Sequence, residues 1–153
     1  MREPSGVVVR ALRKADLPEV LRIDAVHTGS SKVDYWTDVF VRFLGGGEGR
    51  IGLAAESGEG LAGYLLAEVR AFEFGSEACG WIFAVGVDPS FARAGVASKL
   101  LAEVCRKFGE TGIDRVRTMV RRSDVPVLAF FRANGFTGGS FVQLELELDL
   151  GGG

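Results

Sequence analysis

The segment from Val85 to Ser98 has the residue types and spacing to hold a phosphate. Val85-Gly86-Val87 ends an apolar run, Asp88-Pro89 turns the chain, and Gly95-Val96-Ala97-Ser98 opens a long amphipathic stretch. The first amides of a helix have no intrahelical acceptor, and with the helix dipole they form a ready site for anionic oxygens. Gly95 and Ala97 keep side-chain bulk away from those amides. Gly86 inside a strand-like run predicts a bulge or a close backbone approach by a ligand. Simple relief of packing explains both glycines as well, and on this segment alone the two readings stand side by side.

Other patterns that suggest chemistry fail on context. Gly47-Glu48-Gly49-Arg50-Ile51-Gly52 and Gly58-Glu59-Gly60-Leu61-Ala62-Gly63 both spell the dinucleotide fingerprint GxGxxG. That fingerprint works only where a strand ends and a helix begins, and each of these leads into a strand; with 22 glycines, chance matches are expected. Cys79 and Cys105 are far apart in sequence and His27 is the only histidine, so a zinc site is not expected and a reducing, cytoplasmic setting is. Lys plus Arg number 18 against 20 Asp plus Glu, which leaves no basic field for nucleic acid. No apolar run is long enough to span a membrane, and Met1 to Gly6 has no apolar core of a signal peptide. At 153 residues, 47% of them hydrophobic, the chain reads as one domain over 1–150 with a glycine tail at 151–153.

Periodicity supplies the elements around the phosphate turn. Val7 to Leu12 reads as a strand, and Asp16, Pro18 and Glu19 mark an N-cap and first turn for a helix to about His27. Trp36, Val39, Phe40 and Phe43 recur at helical spacing within Val33 to Leu44, which Gly45-Gly46-Gly47 ends. Ile51 to Glu56 and Leu61 to Phe74 are strands joined by the turn Ser57-Gly58-Glu59-Gly60, and Trp81 to Val87 is a buried central strand. Gly95 to Phe108 is the strongest helix, with Val96, Leu100, Leu101, Val104 and Phe108 on one face. Val116 to Val120 is a strand and Val127 to Ala133 a short helix. Phe141 to Leu150 alternates leucines with Gln143, Glu145, Glu147 and Asp149 as a half-buried final strand. The order β-α-α-β-β-β-α-β-α-β predicts a mixed α/β (α+β) sheet, antiparallel first and with a crossover later.

Trp81 to Leu101, followed by Val127-Leu128-Ala129-Phe130-Phe131-Arg132-Ala133-Asn134-Gly135-Phe136, resembles the GNAT superfamily of acetyl-CoA-dependent N-acyltransferases. The element order agrees, so the resemblance covers nearly the whole chain. The family's cofactor loop follows R/Q-x-x-G-x-G/A; here it reads Ala92-Arg93-Ala94-Gly95-Val96-Ala97, with Ala92 where Arg or Gln is usual and Arg93 beside it. The resemblance implies direct acetyl transfer from acetyl-CoA to an amine, with the pantetheine arm added to the edge of a bulged strand. Val85 and Val87 would then supply backbone groups, including a donor to the thioester carbonyl. Ala92 to Ser98 would hold the pyrophosphate. Phe131 and Arg132 would flank the CoA arm, and Asp124 stands where the family often has Asn.

Attack needs a neutral amine and therefore a base, and the departing thiolate takes a proton. Many family members place a proton-donating Tyr where this chain has Phe131. Glu68, Glu73 and Glu77 are the carboxylates near the third strand; each also reads as a solvated position. Glu73 ranks first because Phe72 and Phe74 flank it and apolar neighbours raise a carboxyl pKa. His27 ranks second, since the helix preceding Gly29 lies where the family builds its acceptor site. Tyr35, Trp36 and Phe40 are candidates to line that site, although helical spacing of aromatics also describes core. Cys105 reads as core.

The leading expectation is an acetyltransferase acting on a primary amine of a small molecule, peptide or protein. A non-catalytic acyl-CoA-binding regulatory domain is the first alternative, favoured by Ala92 and Phe131; an interaction module without CoA affinity is the second. No nucleic acid or membrane partner is expected. The Leu144 to Leu150 alternation reads equally as core or as a homodimer interface.

Overall fold

The computed structural model describes residues 6–45, 47–92 and 94–151. The expectations placed on Gly46, Arg93, Gly152 and Gly153 fall outside those residues. The chain divides after Met119 into two compact units.

The first unit runs β1 (Val8–Ala11), α1 (Leu17–Thr28), α2 (Val33–Leu44), β2 (Arg50–Ser57), β3 (Gly60–Arg70), β4 (Cys79–Val87), α3 (Val96–Glu110) and β5 (Val116–Thr118). Its sheet has the order β1-β2-β3-β4-β5, antiparallel through β4 and parallel between β4 and β5. The crossover through α3 supplies the parallel pair, as expected of a strand followed by a long amphipathic helix. Period-2 alternation sends Tyr64 and Leu66 of β3 into a core with Val20, Ile23, Trp36, Val39 and Phe40 of α1 and α2. The expected apolar face of α3, from Val96 to Phe108, is buried in full.

Helix α1 begins differently from the N-cap expected of Asp16. The Asp16 backbone is already helical and its side chain caps no amide of α1. The carboxylate accepts Nη1 and Nη2 of Arg10 at 2.8 and 2.9 Å and the Arg13 amide at 2.7 Å. Asp16 is only 7% exposed, so this fork fastens the start of α1 to β1. Burial by itself would raise the Asp16 carboxyl, but Arg10 and the Arg13 amide outweigh it and hold the group below its ordinary value.

Strand β3 ends at Arg70, short of the expected Phe74, and Glu73 lies in a 3-10 turn spanning Glu73–Gly75. Gly86 is not the site of a bulge. A Cβ there would sit 2.5 Å from the Tyr64 ring, so glycine is needed for the close approach of a cross-strand aromatic. Cys79 is buried and Cys105 partly so; both are free thiols, and burial pushes Cys105 up.

The second unit holds α4 (Val125–Ala133). Asp124 caps it, accepting from the Val127 amide at 3.3 Å, and Asn134-Gly135 ends it. Ring contacts of Phe131 with Phe130 and Phe136 organise it, at 5.1 and 5.0 Å between centroids. The expected final strand Phe141 to Leu150 does not form: the segment has no regular structure and Leu144, Leu146, Leu148 and Leu150 are exposed. Alternation prepares an apolar face, but a strand also needs a ladder of backbone hydrogen bonds with a neighbouring strand, which local sequence does not specify. Among the described residues no helix is long and apolar enough to cross a membrane.

Two expectations test this framework. Asp16→Asn leaves the Arg10 charge to Glu56, 3.0 Å away, and weakens the charge-assisted bonds at the α1 start, so it should cost about 1.5–3 kcal/mol in urea unfolding. Since the folded carboxyl titrates below the unfolded one, whose pKa is about 3.9, the contribution is complete above that pH and disappears as pH falls through the lower folded value. Gly86→Ala should cost about 1–3 kcal/mol by overpacking, and most of that cost should vanish in a Tyr64→Ala background, where no ring meets the added methyl.

Candidate functional site

Strand β4 contains one residue more than its neighbour requires. Leu66 pairs with Ala84 and Ala67 with Ile82, leaving Phe83 as a bulge. Before the bulge, Gly80 and Ile82 face β5: the Gly80 amide donates to Arg115 O at 2.8 Å, and Thr118 Oγ1 donates to Ile82 O at 3.0 Å. The ladder with β5 stops at Ile82, immediately before the extra residue.

Beyond Phe83 the parity of the strand is reversed. Asp88 N donates to Ala62 O, so the alternate pair Tyr64 with Gly86 exchanges hydrogen bonds while Val85 and Val87 turn their peptide groups away from β3. Val87 O confirms this direction by meeting His27 Nε2 of α1 at 2.7 Å. A carbonyl only accepts, so Nε2 carries the proton in this contact and Nδ1 is the nitrogen left to take one. The bulge thus creates a strand edge, at Val85 and Val87, to which an extended amide-bearing chain can add.

The edge leads straight into a helix start. Asp88 accepts from Ser90 N and Oγ, both at 2.9 Å, and Ala92 and Ala94 continue the turn with hydrogen bonds to Pro89 O and Phe91 O. Gly95 has φ of 77°, a left-handed conformation suited to glycine. No side chain caps α3, and its first internal bond is from Lys99 N to Gly95 O. The amides of Val96, Ala97 and Ser98 therefore precede the helical ladder and carry the positive end of its dipole. Free amides at the positive end of a helix dipole are donors suited to an anion such as a pyrophosphate.

Arg22 joins α1 to the same turn. Its Nη2 donates to Asp88 Oδ2 at 2.7 Å and to Glu19 Oε2 at 2.6 Å. Burial would raise the Asp88 carboxyl, but Ser90 and Arg22 together hold it low, so it stays ionised as an anchor.

On the other face of the bulge lies a cavity of about 360 Å³. Asp24 of α1, Lys32 and Tyr35 and Trp36 at the start of α2, Tyr64 of β3 and Phe83 of β4 form its polar and aromatic walls, with Ala84 and Val85 alongside. Asp24 Oδ2 accepts from Lys32 Nζ at 2.9 Å and from Trp36 Nε1 at 3.1 Å. Trp36 meets Tyr35 and Tyr64 edge to face, at 5.3 and 5.5 Å. Burial pushes the Tyr64 phenol far up, which keeps it protonated and able to donate.

Of the residues singled out in the sequence, Val85, Val87, Ala92, Ala94, Gly95, Val96, Ala97, Ser98 and His27 form one strand–turn–helix neighbourhood of the first unit. Tyr35 and Trp36 line the cavity, whereas Phe40 is buried in the core. Glu73 is half-exposed, 3.9 Å from Arg70 Nε, and its neighbours Phe72 and Phe74 are 75% and 92% exposed, so the apolar enclosure expected around it is not there. Glu68, on β3, lies 3.5 Å from Arg70 Nε, and Glu77 is exposed. Phe131 and Arg132 belong to α4 of the second unit. Asp24, Lys32, Tyr64 and Phe83 were not anticipated as site residues; the one available signal was a carboxylate, Asp24, set within the apolar face of α1.

No curated protein sequence matches the chain. Among solved structures, the aminoglycoside N-acetyltransferase AAC(6')-Iy in complex with CoA is similar in fold, with a TM-score of 0.80 at 19% identity, covering 92% of this chain and 94% of that one. AAC(6')-IG from Acinetobacter haemolyticus has a TM-score of 0.76 at 19% identity, covering 93% and 99%. A transcriptional regulator from Bacillus halodurans C-125 has 0.79 at 16%, covering 93% and 99%. The sequence model of the acetyltransferase (GNAT) family matches residues 15–136, most of the chain. With that match, and with a bulged strand edge feeding an uncapped helix, the chain belongs to the GNAT family of acetyltransferases.

Proposed function

We propose that the protein transfers the acetyl group of acetyl-CoA to a primary amine held in the cavity beside Phe83. The observation that carries this reading is the continuity of the Val85–Val87 edge with the α3 start. Together they offer backbone partners for the amides of pantetheine and backbone N–H groups for the pyrophosphate. The Val85 peptide N–H is the donor nearest the bulge that can polarise the thioester carbonyl.

In the reaction the amine nitrogen bonds to the acetyl carbon, the carbon–sulfur bond breaks, the nitrogen gives up a proton, and the CoA thiolate receives one. The nitrogen's proton leaves to His27 Nδ1 through water, since Nε2 is engaged with Val87 O; Glu73 is the second candidate base. Tyr64, protonated and at the cavity wall, is the nearest phenol to the edge. Phe131 has no proton to donate. Free Cys79 and Cys105 suit a reducing compartment, and we place the protein in the cytoplasm.

Phe131 also supports a second reading, an acyl-CoA-binding domain without turnover. Release of free CoA thiol from acetyl-CoA in the presence of amines separates the two. Saturating acetyl-CoA, at about 100 times its dissociation constant, should stabilise the protein by about 2.7 kcal/mol; ATP and NADH at equal concentration should not. Ser98→Glu puts an acidic group in the first turn of α3, where it favours the helix but repels a pyrophosphate. Its melting temperature without ligand should hold or rise, while its affinity for CoA falls at least tenfold. Unchanged affinity would place the pyrophosphate elsewhere.

A further inference from the structure

Resting on the acetyltransferase reading, the cavity itself carries information about the acceptor. Its walls are Tyr35, Trp36, Tyr64 and Phe83, and its charged groups are one carboxylate and one ammonium, Asp24 and Lys32. These two are bonded to each other at 2.9 Å, and Lys32 is held further by Thr28 Oγ1 at 2.8 Å. The pair leaves the cavity with no net charge. Asp24 is well sheltered, with its side chain 15% exposed, while Lys32 is 39% exposed.

We infer that the acceptor is a compact monoamine on an aromatic or apolar body, and that the Asp24–Lys32 pair selects against polycations. One ammonium entering the cavity finds Asp24 and an aromatic wall in which Tyr35 is the electron-rich ring open to it, and the wall covers its hydrocarbon. A second ammonium on the same molecule meets Lys32 and no further carboxylate. It must then be desolvated without compensation or kept outside. Lys32 thereby acts as a specificity residue through repulsion, the unfavourable half of discrimination. The cavity, about 360 Å³, opens to solvent, so its charge and aromatic lining rather than its volume carry the selection.

The experiment compares kcat/KM for phenethylamine, butylamine, 1,4-diaminobutane and kanamycin, with acetyl-CoA binding measured separately by thermal shift. Butylamine and 1,4-diaminobutane differ in essence by one charge. In the native protein, phenethylamine should exceed 1,4-diaminobutane by at least tenfold, and kanamycin should be the poorest acceptor. Lys32→Ala changes the cavity from neutral to singly negative and should raise the ratio of 1,4-diaminobutane to butylamine at least tenfold. Asp24→Asn should raise KM for every amine at least tenfold while leaving the acetyl-CoA shift intact, a split that a general loss of folding would not produce.

Preference for kanamycin or 1,4-diaminobutane in the native protein, with acetyl-CoA binding intact, overturns the inference and leaves the acetyltransferase reading standing. An unchanged diamine ratio in Lys32→Ala overturns the role of Lys32. Absence of any acetyl-CoA shift overturns the acetyltransferase reading and the inference with it. Acetyl-CoA binding with no turnover of any of the four amines overturns the inference and favours the domain without turnover.

Discussion

A single inserted residue, Phe83, organises the chemistry of this protein. Without it β4 would keep the same parity along its length, and the residues after Ile82 would go on alternating toward the β5 side in step with Gly80 and Ile82. With it, the peptide groups that face outward change from those of Gly80 and Ile82 to those of Val85 and Val87, and β5 has no register in which to follow. A buried strand therefore becomes an exposed edge partway along. The same insertion puts the Phe83 ring on the cavity wall, so one local irregularity shapes both the strand edge proposed for the cofactor and the cavity proposed for the acceptor.

Such an edge is useful only if the elements around it are held in place, and here α1 performs that task with polar contacts at three points. Its start is fastened to β1 through Asp16 and Arg10, its middle to the phosphate turn through Arg22 and Asp88, and its end to β4 through His27 and Val87 O. The first is sheltered and bidentate, so it contributes to stability. The Arg22 contact is more exposed and contributes little energy by itself, but it sets the angle between α1 and the turn. Because Asp24 lies between these contacts, the same attachments fix the position of the cavity carboxylate.

Polar groups at the site divide into backbone and side chain, and the division has a physical logic. In the proposed reading, backbone amides at Val85, Val87 and the start of α3 would recognise a cofactor whose amides and phosphates are the same in every reaction. The acceptor would be met by side chains, which vary without disturbing the ladder: the proposed set is Asp24, Lys32, Trp36 and Tyr64. Relatives with the same fold at 16–20% identity are compatible with this, since a shared backbone arrangement survives wide change in side chains.

Patterns that depend on local period and turn chemistry were legible in the sequence. The apolar stripe of α3, the aromatic spacing of α2, the Ser57–Gly60 turn and the strand–turn–helix at Val85 to Ser98 are each determined within a few residues, by helix or strand period and by the conformations glycine allows. The family resemblance followed from the same segment. What only the tertiary structure decided was everything that needs a partner distant in sequence. Gly86 reads equally as a bulge, a ligand approach or relief of packing until Tyr64 is seen lying on it, and Asp16 reads as a cap until Arg10 reaches it. Glu73 reads as enclosed until its two phenylalanines are found exposed. Phe141 to Leu150 reads as a strand but takes up no regular structure, and Asp24 has no evident role until Lys32 and Trp36 fold against it. A chain specifies its own torsional preferences and apolar faces locally, but hydrogen bonds, desolvation and charge pairing belong to pairs of groups, and folding alone determines which groups become pairs.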